Sequence, residues 1–214
     1  MKILFSIFLA IGFILIANYL IAQTTGNQKP TLLYEDYIYD ASVKTPLVFP
    51  AGSERSDVQS PVISLQSNIN LQLEFDWLGE TQPQFRAKII NCNADWQPSV
   101  LNDVEFLTDF NDFPIYDVEL ARGTKVGYGH YWLKLPMVKL AGNYIVMIYR
   151  GRRESDVVLT RRFMVYDSKV SITAQVSAAQ DVPRRTTHQQ VECNVAYGSY
   201  PVLNPREDLK IVIR

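Results

Sequence analysis

Side chains with reactive chemistry are few in this chain. His130 and His188 are its only histidines, and Cys92 and Cys193 its only cysteines. Zinc would call for a pair such as His-Glu-x-x-His, and a serine nucleophile for a sharp Gly-x-Ser-x-Gly turn; neither occurs. His130 lies in GYGHYW, between a Gly-rich turn and a strand, which suits a turn or strand-edge histidine with no partner at useful spacing. His188 follows Arg184, Arg185 and two threonines, as expected of a solvated loop. Cys92 and His130 would make a thiol–imidazole pair only if the fold brought them together, and no local spacing supports this. The densest set of oxygen ligands is Asp103, Glu105, Asp109, Asn111, Asp112 and Asp117. Asp109-x-Asn111 begins like a calcium loop, but Phe113 holds the next ligand position and no glycine follows for the turn. The default for this stretch is a solvated acidic connection, with an irregular calcium loop as the alternative. No glycine-rich loop joins a strand to a helix, so no phosphate cradle is expected. Paired carboxylates for glycoside hydrolysis meet only in the fold, and nothing here singles out a pair. No catalytic, cofactor-binding or metal-binding residue is assigned.

Aromatic residues are the other candidates, through stacking on sugars or anchoring a protein interface. Trp77 and Trp132 fall in alternating strands and are expected in the core. Trp96 follows a strand in Asn91-Cys92-Asn93-Ala94-Asp95-Trp96, where Asn and Asp favour side-chain-to-backbone turns. It either caps one end of the fold or anchors an interface. Asn93, Asp95 and Trp96 are therefore the candidate protein-interface residues.

The elements that carry these groups are strands. Leu71, Leu73, Phe75 and Trp77 alternate with Gln72, Glu74 and Asp76, giving one apolar and one wet face. Val170–Val176 alternates likewise. Further strands are expected at 44–49, 62–65, 85–91, 131–135, 144–149, 159–166, 190–197 and 209–213, separated by Gly- and Pro-marked turns. The longest helical signal is a single turn within Ser99–Phe106, with Ser99 as N-cap. Many short strands of this kind predict an all-β protein, an immunoglobulin-like or fibronectin-III-like β-sandwich. Tyr144, at the start of a late strand after Leu140-Ala141-Gly142-Asn143, is either a tyrosine corner or a plain core tyrosine. Arg161 and Arg162 are adjacent in one strand, so one faces the wrong side unless a bulge re-aims it.

Met1–Ala22 has the form of an export signal: Lys2, then an apolar run, then Ala22 before Gln23. Its apolar length also matches the ~20 residues that span a bilayer, so an uncleaved anchor is the rival reading. Neither cysteine is near the junction, which excludes lipid anchoring there. The expected organisation is a signal peptide at 1–22, an extension at 23–42, a sandwich at 43–167 and the start of a second β domain at 168–214. Lys169–Arg214 is too short to close a sandwich of roughly seven strands, so the chain is expected to be part of a longer protein. The cysteines fall in different domains, and Cys193 shares an alternation with Val191, Val195 and Tyr197; buried thiols are expected rather than a disulfide. With 47% hydrophobic residues and a net charge of −1, the chain can bury a core and offers no basic field to nucleic acid.

Five segments in order, IINCNADWQPS (89–99), FNDFPIYD (110–117), HYWLKLP (130–136), GNYIVMIY (142–149) and LTRRFMVYD (159–167), resemble the N-terminal domain of the type IX secretion system plug protein family. The resemblance runs from about Val43 to Val212. It implies a non-enzymatic periplasmic component, associated with the outer membrane, that binds and closes the periplasmic end of the translocon β-barrel. The implied partner is that barrel protein, with no small-molecule substrate, no cofactor, and membrane contact only through the partner. Family members continue beyond the position of Arg214. Cys193 departs from the pattern by standing where another apolar residue would serve. An exported β-sandwich that binds carbohydrate or protein is the alternative function.

Overall fold

A computed structural model describes residues 31–52, 59–198 and 200–213. The expected leader, Met1–Ala22, lies outside these residues. The chain divides into a unit ending at Leu33 and a second, Tyr34–Arg214; the following concerns the second. No helix among the described residues is long and apolar enough to cross a membrane.

The described residues form twelve strands: β1 (Tyr37–Ile38), β2 (Val43–Pro50), β3 (Val62–Ser64), β4 (Leu71–Leu78), β5 (Phe85–Cys92), β6 (Phe113–Ile115), β7 (Asp117–Leu120), β8 (Tyr128–Lys134), β9 (Gly142–Arg150), β10 (Val157–Tyr166), β11 (Ser171–Ala178) and β12 (Gln189–Ala196). One sheet has the order β2-β4-β8-β7, and the other β1-β10-β9-β5-β6 with β3 parallel to the end of β10. Naming β2 and β4–β10 in chain order as A, B, C, C′, D, E, F and G gives sheets ABED and GFCC′, the immunoglobulin-like arrangement. The fold class expected from the alternation is the one observed. β11 and β12 pair as a separate antiparallel hairpin.

The alternation of β4 decides the core. Leu71, Leu73, Phe75 and Trp77 are all buried and meet Phe85, Ala87 and Ile89 of β5 across the sandwich. Phe75 stacks on Tyr131 at 5.3 Å, and Phe85 meets both edge-on at 5.3 and 4.9 Å. Tyr144 is fully buried, and its hydroxyl donates to the Leu140 carbonyl at 2.7 Å. It is thus a tyrosine corner, closing the β8–β9 connection.

Arg161 and Arg162 resolve their conflict without a bulge between them. Arg161 pairs with Val146 and takes the core-facing side, and Arg162 pairs with Ile145 on the outer side. β10 is irregular only earlier, between Val157 and Leu159, and a second irregularity lies in β2, where the register shifts between Lys44 and Leu47 and Thr45 has φ of 45°. This frees the Pro46 carbonyl, which accepts from Arg161 Nε at 3.1 Å. The guanidinium is thereby satisfied at the rim of the core.

Several expectations are corrected. Trp132 is only half-buried on the outer face of its sheet, because the register puts Tyr131, not Trp132, on the core side. The helical turn is α1 (Asp103–Phe106), capped from Asn102 and not from Ser99. The Ser99 hydroxyl instead accepts from Leu101 N at 3.2 Å. Residues 209–213 form no strand; a short helix, α2 (Pro205–Asp208), precedes them. Cys193 is half-exposed, since no second sheet covers the β11–β12 hairpin among the described residues.

Replacing Tyr144 with Phe removes one buried hydrogen bond and leaves the ring packing intact. The expected loss is about 1 kcal/mol, or about 2–4 °C in melting temperature for a chain of this size, read by circular dichroism on heating.

Candidate interaction site

The loop after β5 is a turn organised by one side chain. Asn93 Oδ1 accepts from the backbone N–H of Asp95 at 2.9 Å and of Gln97 at 3.0 Å. The Asn93 carbonyl accepts from Trp96 N and from Asn143 Nδ2. This pinning holds Trp96 at φ 61°, a left-handed conformation costly for a bulky residue. The compensation is burial. The Trp96 indole is 8% exposed and packs with Cys92, Ile145 and Tyr34 on the outer face of the β9 sheet. The Arg162 guanidinium covers it at 4.3 Å, and that guanidinium also donates twice to the Tyr34 carbonyl. Trp96 therefore caps the sandwich. Of the three candidate interface residues, Asn93 and Asp95 reach solvent; Asn93 Oδ1 is engaged by the turn, and Asp95 pairs with Lys210.

Cys92 is buried beneath this cap, and burial pushes its thiol up to about 11, against a smaller opposing pull from Arg162. His130 is on the outer face of the other sheet, so the two do not meet. His188 is exposed and contacts the Thr187 hydroxyl.

The acidic stretch is dispersed into structural tasks, which corrects the solvated default for two of its members. Asn111 is buried and forms a side-chain rung on β5, accepting from Ile89 N at 2.8 Å and donating to Ile89 O at 2.7 Å. Asp112 takes a bidentate bond from Arg86 at 2.5 and 2.7 Å, and one from the Tyr149 hydroxyl at 2.5 Å. The Arg86 guanidinium holds the Asp112 carboxyl below the usual carboxylate range, with burial opposing it and the Tyr149 hydroxyl adding to it. Burial, then the adjacent Asp112, push the Tyr149 phenol up to about 12. Glu105 accepts from Asn102 N at the start of α1, whereas Asp103 and Asp109 are exposed and Asp117 starts β7. Among the described residues, no three His, Cys, Asp or Glu side chains converge as metal ligands.

Reasoning on sequence missed the outer face of the β2-β4-β8-β7 sheet. His130, expected to lack a partner, lies between two carboxylates: Nδ1 is 2.8 Å from Asp76 and Nε2 3.4 Å from Glu74. Asp76 also takes a bond from the Thr45 hydroxyl, and Glu74, 6% exposed, one from Gln72 Nε2 at 2.6 Å. The register extends these groups into two rows, Asp76–His130–Glu119 and Glu74–Trp132–Asp117. All of them but Asp117 line a trough of about 1320 Å³ that is bounded also by Arg122 and Thr124 of the β7–β8 loop and by Tyr128 at the start of β8. Glu74 and Asp76 stood on wet positions of the alternation, and His130 was expected at a turn or strand edge. Which of them are neighbours is set by the pairing of strands about fifty residues apart, and no local pattern reports that.

Two outcomes follow from these environments. Iodoacetamide at pH 8 should modify Cys193 in the folded protein and leave Cys92 unmodified until denaturant is added, read by mass spectrometry. Asp112→Asn should be less stable than the parent at pH 7. The advantage of the carboxylate is present above the unfolded value of about 3.9 and is lost as pH falls through the lower folded value. Urea midpoints of the two proteins should therefore converge below about pH 4.

Comparison with known proteins gives a consistent assignment. No curated protein sequence matches the chain. A solved structure, the crystal structure of a hypothetical protein from Parabacteroides merdae, superposes with a TM-score of 0.75 at 28% identity. The match covers 83% of this chain and 45% of that one, so the chain spans less than half the length of that relative. The profile of the type 9 secretion system plug protein 1st domain matches residues 43–167, which hold both sheets from β2 to β10. This chain belongs to the type IX secretion system plug protein family.

Proposed function

We propose that the protein binds the periplasmic mouth of the outer-membrane translocon barrel and closes it while no cargo is passing. Family membership over residues 43–167 carries this reading, since it makes the chain an envelope-associated component of the secretion system. A pore wide enough for folded cargo leaks unless a rigid body fills its opening. The sandwich supports that role, because a packed core fixes the loops at both its ends against a partner. On this reading the chain works in the periplasm after Met1–Ala22 has directed its export. Residues 168–214 would then open a second β unit, a view supported by Ile172, Val176 and Val191, which leave apolar surface exposed on the β11–β12 hairpin.

The decisive experiment is affinity capture of the full-length tagged protein from native outer membranes, with mass spectrometry of what accompanies it. A very large β-barrel subunit should be recovered in near-stoichiometric amount. Recovery of glycan alone, or of nothing, from membranes in which the translocon is intact would overturn the proposal.

A further inference from the structure

Three of the four outer edges of the sandwich are blunted. β2 carries Pro46, Pro50 and a bulge at Thr45. β6 has three residues, one of them Pro114, and the β10 edge is covered by β1 and β3. Proline removes a donor and a bulge twists a ladder out of register, so neither edge templates a new strand. β7 has none of these devices. All four of its residues are exposed, and among the described residues it has a strand neighbour, β8, on one side only.

The ladder phase fixes what this edge presents. Ala121 N donates to Tyr128 O, and Asp117 and Glu119 stand opposite Trp132 and His130. Residues 117, 119 and 121 are therefore the bonded positions, and the N–H and C=O groups of Val118 and Leu120 point away from β8. The two faces of the edge differ in chemistry. Val118 and Leu120 are 38% and 54% exposed on the side of Tyr131, which faces the core. Asp117 and Glu119 lie on the outer face, continuous with Glu74 and Asp76.

We infer that β7 receives an extended segment of a partner protein as an added antiparallel strand, with apolar residues on the core side and Lys or Arg on the outer side. Two outward backbone donors and two acceptors supply the ladder, and the carboxylate rows select the charge. A second copy of this chain is disfavoured as the occupant, because antiparallel pairing of β7 with itself sets Asp117 and Glu119 of one copy against those of the other. A basic side chain laid over the trough also reaches the half-buried Trp132 ring. Such a strand docks on β7 whether or not the translocon barrel is the protein that carries it.

The test uses the full chain and a nine-residue synthetic peptide alternating Lys and Val, titrated by calorimetry, with amide exchange followed by NMR. The peptide should bind and slow exchange of the Val118 and Leu120 amides. N-methylation of its alternate backbone amides on the pairing edge should weaken binding at least tenfold, and so should replacing every Lys with Glu. The Asp117→Asn/Glu119→Gln double variant should bind the parent peptide several-fold more weakly while keeping its melting temperature. Equal binding of the N-methylated peptide would reduce the effect to charge attraction and overturn the inference. So would protection confined to other strands, or a dimer of the free protein in sedimentation that protects the same two amides.

Discussion

Two sheets keep one separation only where side chains fill the space between them, and Phe75, Phe85 and Tyr131 meet that requirement here. The three rings come from three strands of the two sheets and contact one another pairwise, so each fixes the position of the other two. Trp77 leans on Phe85 at 5.2 Å, and the stacked pair Tyr144 and Phe163 extends the same layer towards the opposite end. Strand register then has no freedom, because a shift of one residue would turn Phe75 to solvent and Glu74 to the core. The His130 contacts, the Arg161 bond to Pro46 and the outward phase of β7 are all consequences of that register.

The β9 sheet differs from its partner in being covered on both faces. Ile145, Met147 and Tyr149 of β9 point away from the aromatic layer, yet all are buried. The cover is assembled from loops: the Trp96 turn, the Tyr34 segment under Arg162, and Asp112 over Arg86. A loop laid over a sheet must satisfy its own polar groups, and here side chains do it: Asn93 and Asn111 each serve two backbone atoms, and Arg162 donates twice to the Tyr34 carbonyl. The other sheet is left wet, and its outer face keeps the two rows of acidic side chains and a trough.

Alternation, clearest at residues 71–77, and the Gly- and Pro-marked turns between many short strands made the sandwich legible, and Trp77 and Tyr144 were expected in the core where they are found. Two short strands, β6 and β7, were not legible. β6 has a proline at its centre and β7 offers only Asp-Val-Glu-Leu, too little sequence for a period to stand out. Lys210–Ile213 shows the reverse error: β-branched residues there form no strand because no neighbouring strand pairs with them among the described residues. Trp132 and His130 were misjudged for one common reason. Strand membership follows from composition, but the face a residue takes and the neighbour it meets follow from pairing with a distant strand. Trp96 was legible as a turn residue, whereas its guanidinium cover comes from Arg162, far along the chain.

The excursion between β5 and β6 leaves and rejoins the same strand almost at one point. Ser99 N bonds to Asn91 O as the chain departs, and the Asn111 carboxamide seats on Ile89 as it returns. Between these clips, Phe106 and Leu107 drop into the core as a stopper, while Val100, Val104 and Phe110 stand in solvent at 98%, 75% and 84% exposure. Closing a loop costs entropy that grows only slowly with its length, and here both closing contacts are independent of what lies between them. The exposed residues of the segment thus carry none of its anchoring, which rests on the two clips and the stopper.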